Sequence, residues 1–424
     1  MVMSGSGLKI QRDRLLQRLE AIVSTGTPGL YRVVSFLCVQ HVYSLAELGR
    51  TGASMAIAQM AGFFTAIGWA TLILVRLPAA ADRRSRTDQF YALTLQAITT
   101  TVAGTLLFLG ASAFLGRLVD FDVWPVVSLL WGWTTYQLAR HYFIALKRYR
   151  EAIIFDAALV LTSAIALVVC KRTGIPSSHA LAIALIATAF VMFAVIGLPS
   201  RGAIAYTFEL KGLQFGLTNF LSGGPPLVFI PAATAMCGAT FAGMLSLLSS
   251  LSAVGQLVPR AISITKLPEL ARRRSAAQAL DDTLQSMRRS IASANGIVSV
   301  LNAAAVFIVA FHKTPDPAMR WTAVMAGLLL TLLCAVSVMG LTSSNTIAIF
   351  EKASVSVRIN VTTTVLFALL FGASTWVGGR VGFMLILCSA IGITVLRNEM
   401  LRVSAKAACF DYMSGGIQYC EVVR

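Results

Sequence analysis

The sequence predicts an all-α integral membrane protein with about 12 transmembrane helices, arranged as two six-helix parallel-repeat halves around a central cavity. Its composition is the first observation: 57% of the 424 residues are hydrophobic and only 12% are charged, whereas soluble domains carry about 25% charged residues. The mean hydropathy is +0.76. Twelve long apolar stretches and an internal repeat are the second and third observations. Together they exclude a water-soluble enzyme and a disordered chain.

Twelve stretches have the length that a bilayer-spanning helix needs, roughly 20 mainly apolar residues. They run over 29–48, 52–75, 91–115, 123–146, 152–170, 179–198, 215–235, 242–264, 291–311, 321–341, 355–373 and 381–396. Residues 1–28 are polar and basic, unlike a secretory signal, so we expect the first span to stay in the membrane. The apolar residues of 8–23 share one helical face, which predicts a short helix on the inner membrane surface.

The distribution of basic residues predicts the orientation of the chain. A basic N-terminal segment (1–28) precedes the first half (29–205), the second half (206–396) and a C-terminal tail (397–424). Most of the 35 Lys and Arg residues lie on the side that also holds both termini. By the positive-inside rule, that side is cytoplasmic. The net charge of +17 is then a topology signal and an attraction to anionic lipids, and we expect no nucleic-acid partner.

Two pairs of segments predict the internal repeat. RLPAAADRRS at 76–85 matches KLPELARRRS at 266–275 at six of ten positions, after the second span of each half. A weaker match pairs ALKRYREAIIFD at 145–156 with IFEKASVSVRIN at 349–360, between spans 4 and 5 of each half. Chance likeness between basic loops is the alternative. Because six is even, both halves insert in the same direction, and the substrate site is expected between them.

The sequence contains no motif for metal, cofactor or nucleotide chemistry. No two Cys are closer than eleven residues, which excludes zinc and iron–sulfur spacings, and no GxxxxGK[ST] phosphate loop occurs. We therefore expect no metal, no cofactor and no nucleotide hydrolysis. A polysaccharide polymerase or ligase would need a sizeable outer catalytic segment, but every predicted outer loop is short. The expected activity is transport rather than catalysis.

Four segments carry a resemblance to a known family. They are ELGRTGASMAIAQM at 47–60, YFIALKRYREAIIFDAAL at 142–159, CGATFAGML at 237–245 and LPELAR at 267–272. The chain resembles, over nearly its whole length, the Wzx-type oligosaccharide flippases of the MATE-like (multidrug/oligosaccharidyl-lipid/polysaccharide) exporter superfamily. The major facilitator superfamily shares the two-times-six plan, but its loop begins with Gly and continues as DRxGRR, and the AAADRRSR loop here has neither of these glycines.

The resemblance implies a translocase of the bacterial inner (cytoplasmic) membrane. Such proteins flip an undecaprenyl-pyrophosphate-linked oligosaccharide repeat unit by alternating access, for O-antigen (lipopolysaccharide), capsule or exopolysaccharide biosynthesis. The implied partners are the lipid-linked oligosaccharide, membrane lipids, the polysaccharide polymerase and the chain-length machinery. A MATE-type or major-facilitator-type small-molecule antiporter is the alternative. Cation antiporters usually use buried carboxylates, whereas the ionisable groups predicted inside the spans are mainly Arg.

Two arginines are candidates for binding the diphosphate. Arg32 lies about one turn into span 1, and Arg260 about one turn before the end of span 8. A charge inside the bilayer is costly and indicates function, and the Arg fork makes paired, charge-assisted hydrogen bonds to phosphate. In the lipid II relatives, arginines of spans 1 and 8 face the central cavity. Snorkelling to the interface is the alternative.

Polar residues complete the predicted substrate-binding set. Those on span 8 lie within about 80° of Arg260 on an ideal helix, and such a stripe should face water or another helix. The remaining candidates share the arginine face of span 1 or lie in span 7. The set is Tyr43, Asn219, Ser249, Ser252 and Gln256.

Gating or ion coupling is predicted at two places. Glu47 lies near the outer end of span 1, where it could pair with a cation or bind a coupling ion, or simply lie exposed. Gly223, Gly224, Pro225 and Pro226 must break span 7, which predicts a hinge, with a static kink as the alternative. Arg140 and Asp156 flank loop 4–5, where a solvated loop edge is favoured over a gate pair.

Overall fold

The computed structural model describes residues 5–115, 122–200, 208–275, 278, 280–314, 316–350 and 352–421. Within these ranges the regular structure is helical throughout. The chain forms two compact units, Met1–Thr234 (unit 1) and Ala235–Arg424 (unit 2). The boundary between them lies in span 7. The division into halves at 205/206 concerns the sequence repeat and stays a prediction.

Unit 1 contains eight helices and most of a ninth, and irregular helical turns join two pairs of them. A π-helical turn, Phe63–Ile67, joins α2 to α3, and a 3-10 turn, Pro225–Val228, joins α8 to α9. The helices are α1 (Gly5–Val42), α2 (Leu45–Gly62), α3 (Gly68–Arg76), α4 (Arg83–Leu115), α5 (Trp124–Ala145), α6 (Tyr149–Arg172), α7 (Ser177–Ile196), α8 (Lys211–Gly223) and α9 (Phe229–Cys237).

Unit 2 contains the end of α9 and seven further helices. They are α10 (Ala239–Val254), α11 (Leu257–Ser275), α12 (Asp281–Lys313), α13 (Pro317–Met339), α14 (Leu341–Ile349), α15 (Ala353–Val377) and α16 (Gly379–Glu421). Helix α11 continues past Pro268 to Ser275, whereas the matching segment at 76–85 breaks after Arg76 and restarts at Arg83. The two copies of this sequence match therefore differ in local structure.

Nine segments in the described ranges are long and apolar enough to cross a membrane, and the bent α8–α9 pair makes ten. They correspond to ten of the twelve predicted spans. The predicted spans 29–48 and 123–146 fall on α1 and α5, which are not among the ten, so the count of twelve stays a prediction. The last segment, Gly379–Tyr412, reaches well beyond the predicted end at 396.

Exposed tryptophans mark the ends of three helices. Trp124 begins α5, Trp321 lies in the first turns of α13, and Trp376 ends α15. Their side chains are 60%, 60% and 93% exposed. All three helix ends belong to the side that the basic residues predict to be outside. Because Trp is enriched at membrane–water interfaces, these residues are consistent with a membrane–water interface on that side.

The first span ends earlier than the sequence predicts. Helix α1 is continuous from Gly5 to Val42, so residues 8–23 are helical but do not form a separate short helix. The chain turns at positions 43–44, rather than after 48. Ser44 begins α2 as its N-cap, and its hydroxyl accepts a hydrogen bond from the Glu47 backbone N–H at 3.1 Å. This side-chain cap supplies a helix start without a glycine or proline.

The predicted break in span 7 is confirmed. Helix α8 ends at Gly223, Pro225–Val228 form a 3-10 turn, and the two sides of the break are bent by 68°. Two prolines cannot donate the backbone hydrogen bonds of a regular helix, and they clash with the preceding turn. Whether this bend changes during function, as a hinge would, stays a prediction.

Helix α8 packs closely on the second span within unit 1. A Cβ built on Gly68 would come within 2.0 Å of the Gly212 carbonyl oxygen, and one on Gly216 within 2.6 Å of the Phe63 carbonyl oxygen. Gly212 and Gly216 form a GxxxG pair, which lets backbones approach in membranes. Just before α8, Glu209 accepts two hydrogen bonds from the Arg76 guanidinium, at 2.8 and 2.6 Å.

The turns between predicted spans 4 and 5 and between predicted spans 10 and 11 have the same backbone conformation. Leu146 and Phe350 have φ, ψ of −88°, 9° and −80°, 6°. The next helices begin after Arg148 and Lys352, at −84°, 55° and −82°, 53°. These four positions correspond in the weaker of the two sequence matches. The match therefore reflects a shared local turn, while the two-half repeat as a whole stays a proposal.

Candidate functional site

Arg32 lies deeper in its helix than predicted. At 1.5 Å per residue it is about 15 Å from the outer end of α1 at Val42, roughly half a bilayer core. Its guanidinium lies 5.4 Å from the centroid of the Phe36 ring. The Nε atom is buried without a hydrogen-bond partner, as is Oγ of Ser35 one turn later. Among the described residues no carboxylate is within ion-pair distance of Arg32.

Arg260 lies in α11, near the end of the spanning segment Ala239–Ser263. Its side chain is exposed, and Pro259 before it is buried. The described part of the chain offers it no carboxylate within ion-pair distance. Arg260 therefore shares with Arg32 a charge that no acidic side chain in the described ranges balances.

The polar stripe predicted on span 8 is divided by a break in the helix. Helix α10 ends at Val254 and α11 begins at Leu257, so Gln256 lies in the turn between them. Ser249 is partly exposed, but Ser252 is buried and shares a hydrogen bond of 3.3 Å with Thr331 of α13. Ser252, Gln256 and Arg260 nevertheless all lie towards α13, beside Thr331 and Cys334 of that helix. Their role in substrate binding stays a prediction.

Tyr43 and Asn219 make local hydrogen bonds. The Tyr43 hydroxyl donates to the Ile175 carbonyl at 2.9 Å, in the turn between α6 and α7, and the Lys171 amine lies 5.0 Å from the centre of its ring. Tyr43 follows the end of α1, about 16 Å along the helix direction from Arg32. Asn219 donates to the Phe215 carbonyl of its own helix at 2.9 Å. Their roles in substrate binding stay predictions.

Glu47 connects the start of α2 to the start of α7. Its carboxylate accepts from the Ser177 backbone N–H at 3.0 Å and from the Ser177 hydroxyl at 3.1 Å. It also pairs with Arg50 at 3.0 Å. A carboxylate at a helix N-terminus satisfies an unpaired N–H and interacts favourably with the helix dipole. The structure thus gives Glu47 a helix-capping contact, and its predicted gating or coupling role is a separate proposal.

Comparisons of the fold with solved structures find relatives along most of the chain. A multidrug resistance MATE family transporter of the MOP superfamily in an inward-facing conformation matches with a TM-score of 0.66 and 14% identity, over 92% of this chain and 98% of that one. An outward-facing structure with the same description matches with a TM-score of 0.53 and 12% identity, over 92% and 94%.

A third neighbour is a MOP superfamily transporter from Pyrococcus furiosus. The reverse polarity of its binding pocket is described as suggesting a different function for that protein. It matches with a TM-score of 0.53 and 13% identity, over 92% of this chain and 95% of that one. A scan against models of protein families finds no match, and a search of curated protein sequences finds none either. The chain has the fold of the MATE transporters.

The MATE fold brings together a buried cluster whose members the sequence places in three helices. The Arg140 Nε of α5 donates to both oxygens of Asp156 in α6, at 3.0 and 3.2 Å. Its Nη2 donates to the Ser24 carbonyl of α1. The hydroxyls of Tyr136 and Thr27 donate to the same Asp156 carboxylate.

This cluster corrects the expectation of a solvated loop edge. The side chains of Arg140 and Asp156 are only 5% and 3% exposed. The two residues are separated by 16 positions across the turn between α5 and α6, and each lies about 8–11 Å inside its helix end. Nothing in the sequence marks α1 as the element that covers them. The cluster therefore joins α1, α5 and α6 through a charge pair that is fully balanced within unit 1.

Proposed function

We propose that this MATE-fold protein translocates a lipid-linked oligosaccharide whose headgroup carries a diphosphate, such as an undecaprenyl-pyrophosphate-linked repeat unit. The observation that carries the proposal is the charge balance of the arginines. Arg32 lies in the predicted first span and Arg260 in the spanning segment Ala239–Ser263. Among the described residues neither has a carboxylate within ion-pair distance, whereas Arg140 is neutralised by Asp156. An unbalanced cation in a membrane is costly. An anionic substrate would supply the missing charge.

The chemistry of these side chains suits a diphosphate better than a cation. A guanidinium donates paired hydrogen bonds to phosphate oxygens and keeps its charge at physiological pH. Binding at Arg32 would satisfy its buried Nε and place the headgroup about 15 Å from the end of α1 at Val42. Ser249 and Gln256 would contribute neutral hydrogen bonds near Arg260. Glycan recognition would then rely on hydroxyl and amide groups of the same helices, and movement on the bend at 223–226.

The alternative is a MATE-type small-molecule antiporter, which the fold accommodates equally well. Exchange of cations for protons or sodium needs a carboxylate that can release and rebind a cation. Among the described residues, Asp156 is the one buried acid, and it already accepts four hydrogen bonds from three donor groups. Glu47 is partly exposed and engaged by Ser177 and Arg50. This distribution supports an anionic substrate.

Complementation tests the proposal in cells. In a strain that lacks the gene, we expect loss of surface polysaccharide and accumulation of undecaprenyl-linked repeat units. Wild type and Arg402→Ala, a surface control, should restore polysaccharide. Arg32→Ala and Arg260→Ala at equal protein level should restore at most about one tenth, because a hydrogen bond to a charged group is worth about 1.5–3 kcal/mol. Arg260→Lys keeps the positive charge but loses the two parallel hydrogen-bond donors of the guanidinium. It should restore an amount of polysaccharide between those of Arg260→Ala and wild type.

Unchanged polysaccharide in the deletion strain would contradict the proposal and favour the antiporter. Full rescue by both alanine variants would be compatible with the proposed translocation but would assign Arg32 and Arg260 to membrane anchoring instead of substrate binding.

A further inference from the structure

Unit 2 contains a buried arginine contact that the sequence analysis did not identify. The sequence predicts that Arg397 begins the C-terminal tail, but it lies inside the spanning segment Gly379–Tyr412 of α16. Its Nε donates to Oδ1 of Asn360 in α15 at 2.8 Å. The Asn360 side chain is buried, and Arg397 is partly exposed. The contact therefore orients a guanidinium at the boundary between two neighbouring helices.

The same position in unit 1 holds an acid. Asp156 and Asn360 occupy corresponding places. Each lies about two helical turns into its helix, and the loops before the two helices have the same backbone conformation. In unit 1 the carboxylate of Asp156 balances the charge of Arg140. In unit 2 the neutral amide of Asn360 accepts a hydrogen bond from Arg397 but leaves its positive charge unbalanced. The two units thus differ in net charge at corresponding positions.

The neighbouring acids do not compensate for this charge. Glu399 pairs with Arg402 at 3.0 Å, and Asp411 pairs with Lys352 at 2.8 Å. In the described ranges no carboxylate is within ion-pair distance of Arg397. Its one hydrogen bond uses Nε, so both terminal amino groups of the guanidinium are left for another acceptor.

The surroundings indicate where that acceptor comes from. Asn360 lies about 10 Å inside the cytoplasmic end of α15, near the depth at which lipid headgroups meet the hydrocarbon. Val357, Val361 and Leu396, close to the pair along the two helices, are 38%, 41% and 42% exposed. Exposed apolar side chains in spanning helices contact lipid. A lipid headgroup can therefore approach the pair from the membrane.

We propose that Arg397, held by Asn360, binds the phosphate group of a lipid in the cytoplasmic leaflet. The guanidinium makes two parallel charge-assisted hydrogen bonds through its terminal amino groups to two phosphate oxygens. The phosphate belongs to a bilayer phospholipid or to a polyprenyl carrier lipid. This site is additional to Arg32 and Arg260, and it stands whether or not the protein translocates oligosaccharides.

Native mass spectrometry of the full-length protein in detergent tests the site. The probes are phosphatidylglycerol, undecaprenyl phosphate and diacylglycerol, which has no phosphate. We expect wild type to retain a phosphate-bearing lipid but not diacylglycerol. Arg397→Ala should weaken retention about tenfold, since a hydrogen bond to a charged group is lost. Arg402→Ala is the matched control on the same helix and should retain lipid like wild type.

The variant Asn360→Asp provides the sharper test. It places in unit 2 the acid that unit 1 has, so it balances Arg397 without removing it. We expect weakened lipid retention in a protein that remains folded, as judged by its thermal unfolding. Wild-type retention in both Asn360→Asp and Arg397→Ala would overturn the proposal. Retention of phosphatidylglycerol assigns the site to bilayer lipid, and retention of undecaprenyl phosphate alone assigns it to the carrier lipid.

Discussion

The arginines inside the helices differ in what surrounds the guanidinium. Arg140 contacts a carboxylate, Arg397 contacts an amide, and Arg32 and Arg260 have neither among the described residues. A buried charge without a partner is destabilising and is retained where it has a function. Charge balance therefore separates an arginine that holds helices together from arginines available to an anionic ligand.

The balanced pair leads to a prediction about stability. Asp156→Asn preserves the shape of the side chain but leaves Arg140 buried and uncompensated. We expect the free energy of unfolding to fall by about 3–5 kcal/mol. Thermal unfolding of the purified protein, followed by tryptophan fluorescence, measures the change. Glu399→Gln removes an exposed pair of the same type and should cost less than about 1 kcal/mol.

Removing both charges provides a second comparison. The double variant Arg140→Met with Asp156→Leu should recover most of the stability that Asp156→Asn loses, because apolar replacement of a buried ion pair is often neutral or favourable. Equal unfolding temperatures for wild type and Asp156→Asn would contradict a structural role for the pair.

At the scale of helices, apolar length predicts most of the spanning segments, and backbone chemistry predicts the break in span 7. The Gly-Gly-Pro-Pro segment at 223–226 can hardly continue a helix, and it does not. The end of α1 was misplaced because Ser44 caps the next helix through its side chain. The sequence likewise did not predict the turn that divides span 8 into α10 and α11, because the turn at 255–256 is local and has no proline of its own.

The packing of α8 on span 2 leads to a prediction about element contacts. In Gly68→Ala the new methyl group would overlap the backbone carbonyl of Gly212, at 2.0 Å. Backbone cannot move aside as a flexible side chain can, so we expect a loss of about 1–3 kcal/mol in stability. Thermal unfolding measures this loss as well.

Gly110→Ala is the matched control for that substitution. It lies in α4 with open space around its Cβ position, and the change should raise stability by up to about 1 kcal/mol. If Gly68→Ala unfolds at the wild-type temperature, the close contact between α8 and the second span does not contribute to stability.

At the scale of the whole molecule, composition predicts a multi-span helical membrane protein, and the structure has the fold of solved MATE transporters. The finer assignment to oligosaccharide flippases depends on individual side chains. Sequence could identify Arg32 and Arg260, because each interrupts an apolar stretch. It could not identify the burial of Arg140 with Asp156, since this depends on how α1 covers two helices that are remote from it in the chain.

Translocation by the purified protein in proteoliposomes tests the central claim most directly. The substrate is an undecaprenyl-pyrophosphate-linked oligosaccharide with a labelled glycan, and movement is measured as a change in its accessibility to a membrane-impermeant reagent. We predict transport by wild type and by Arg402→Ala, and rates lowered about tenfold or more in Arg32→Gln and Arg260→Gln. Wild-type rates in both glutamine variants, or movement of cationic dyes instead of the lipid-linked glycan, would contradict the account.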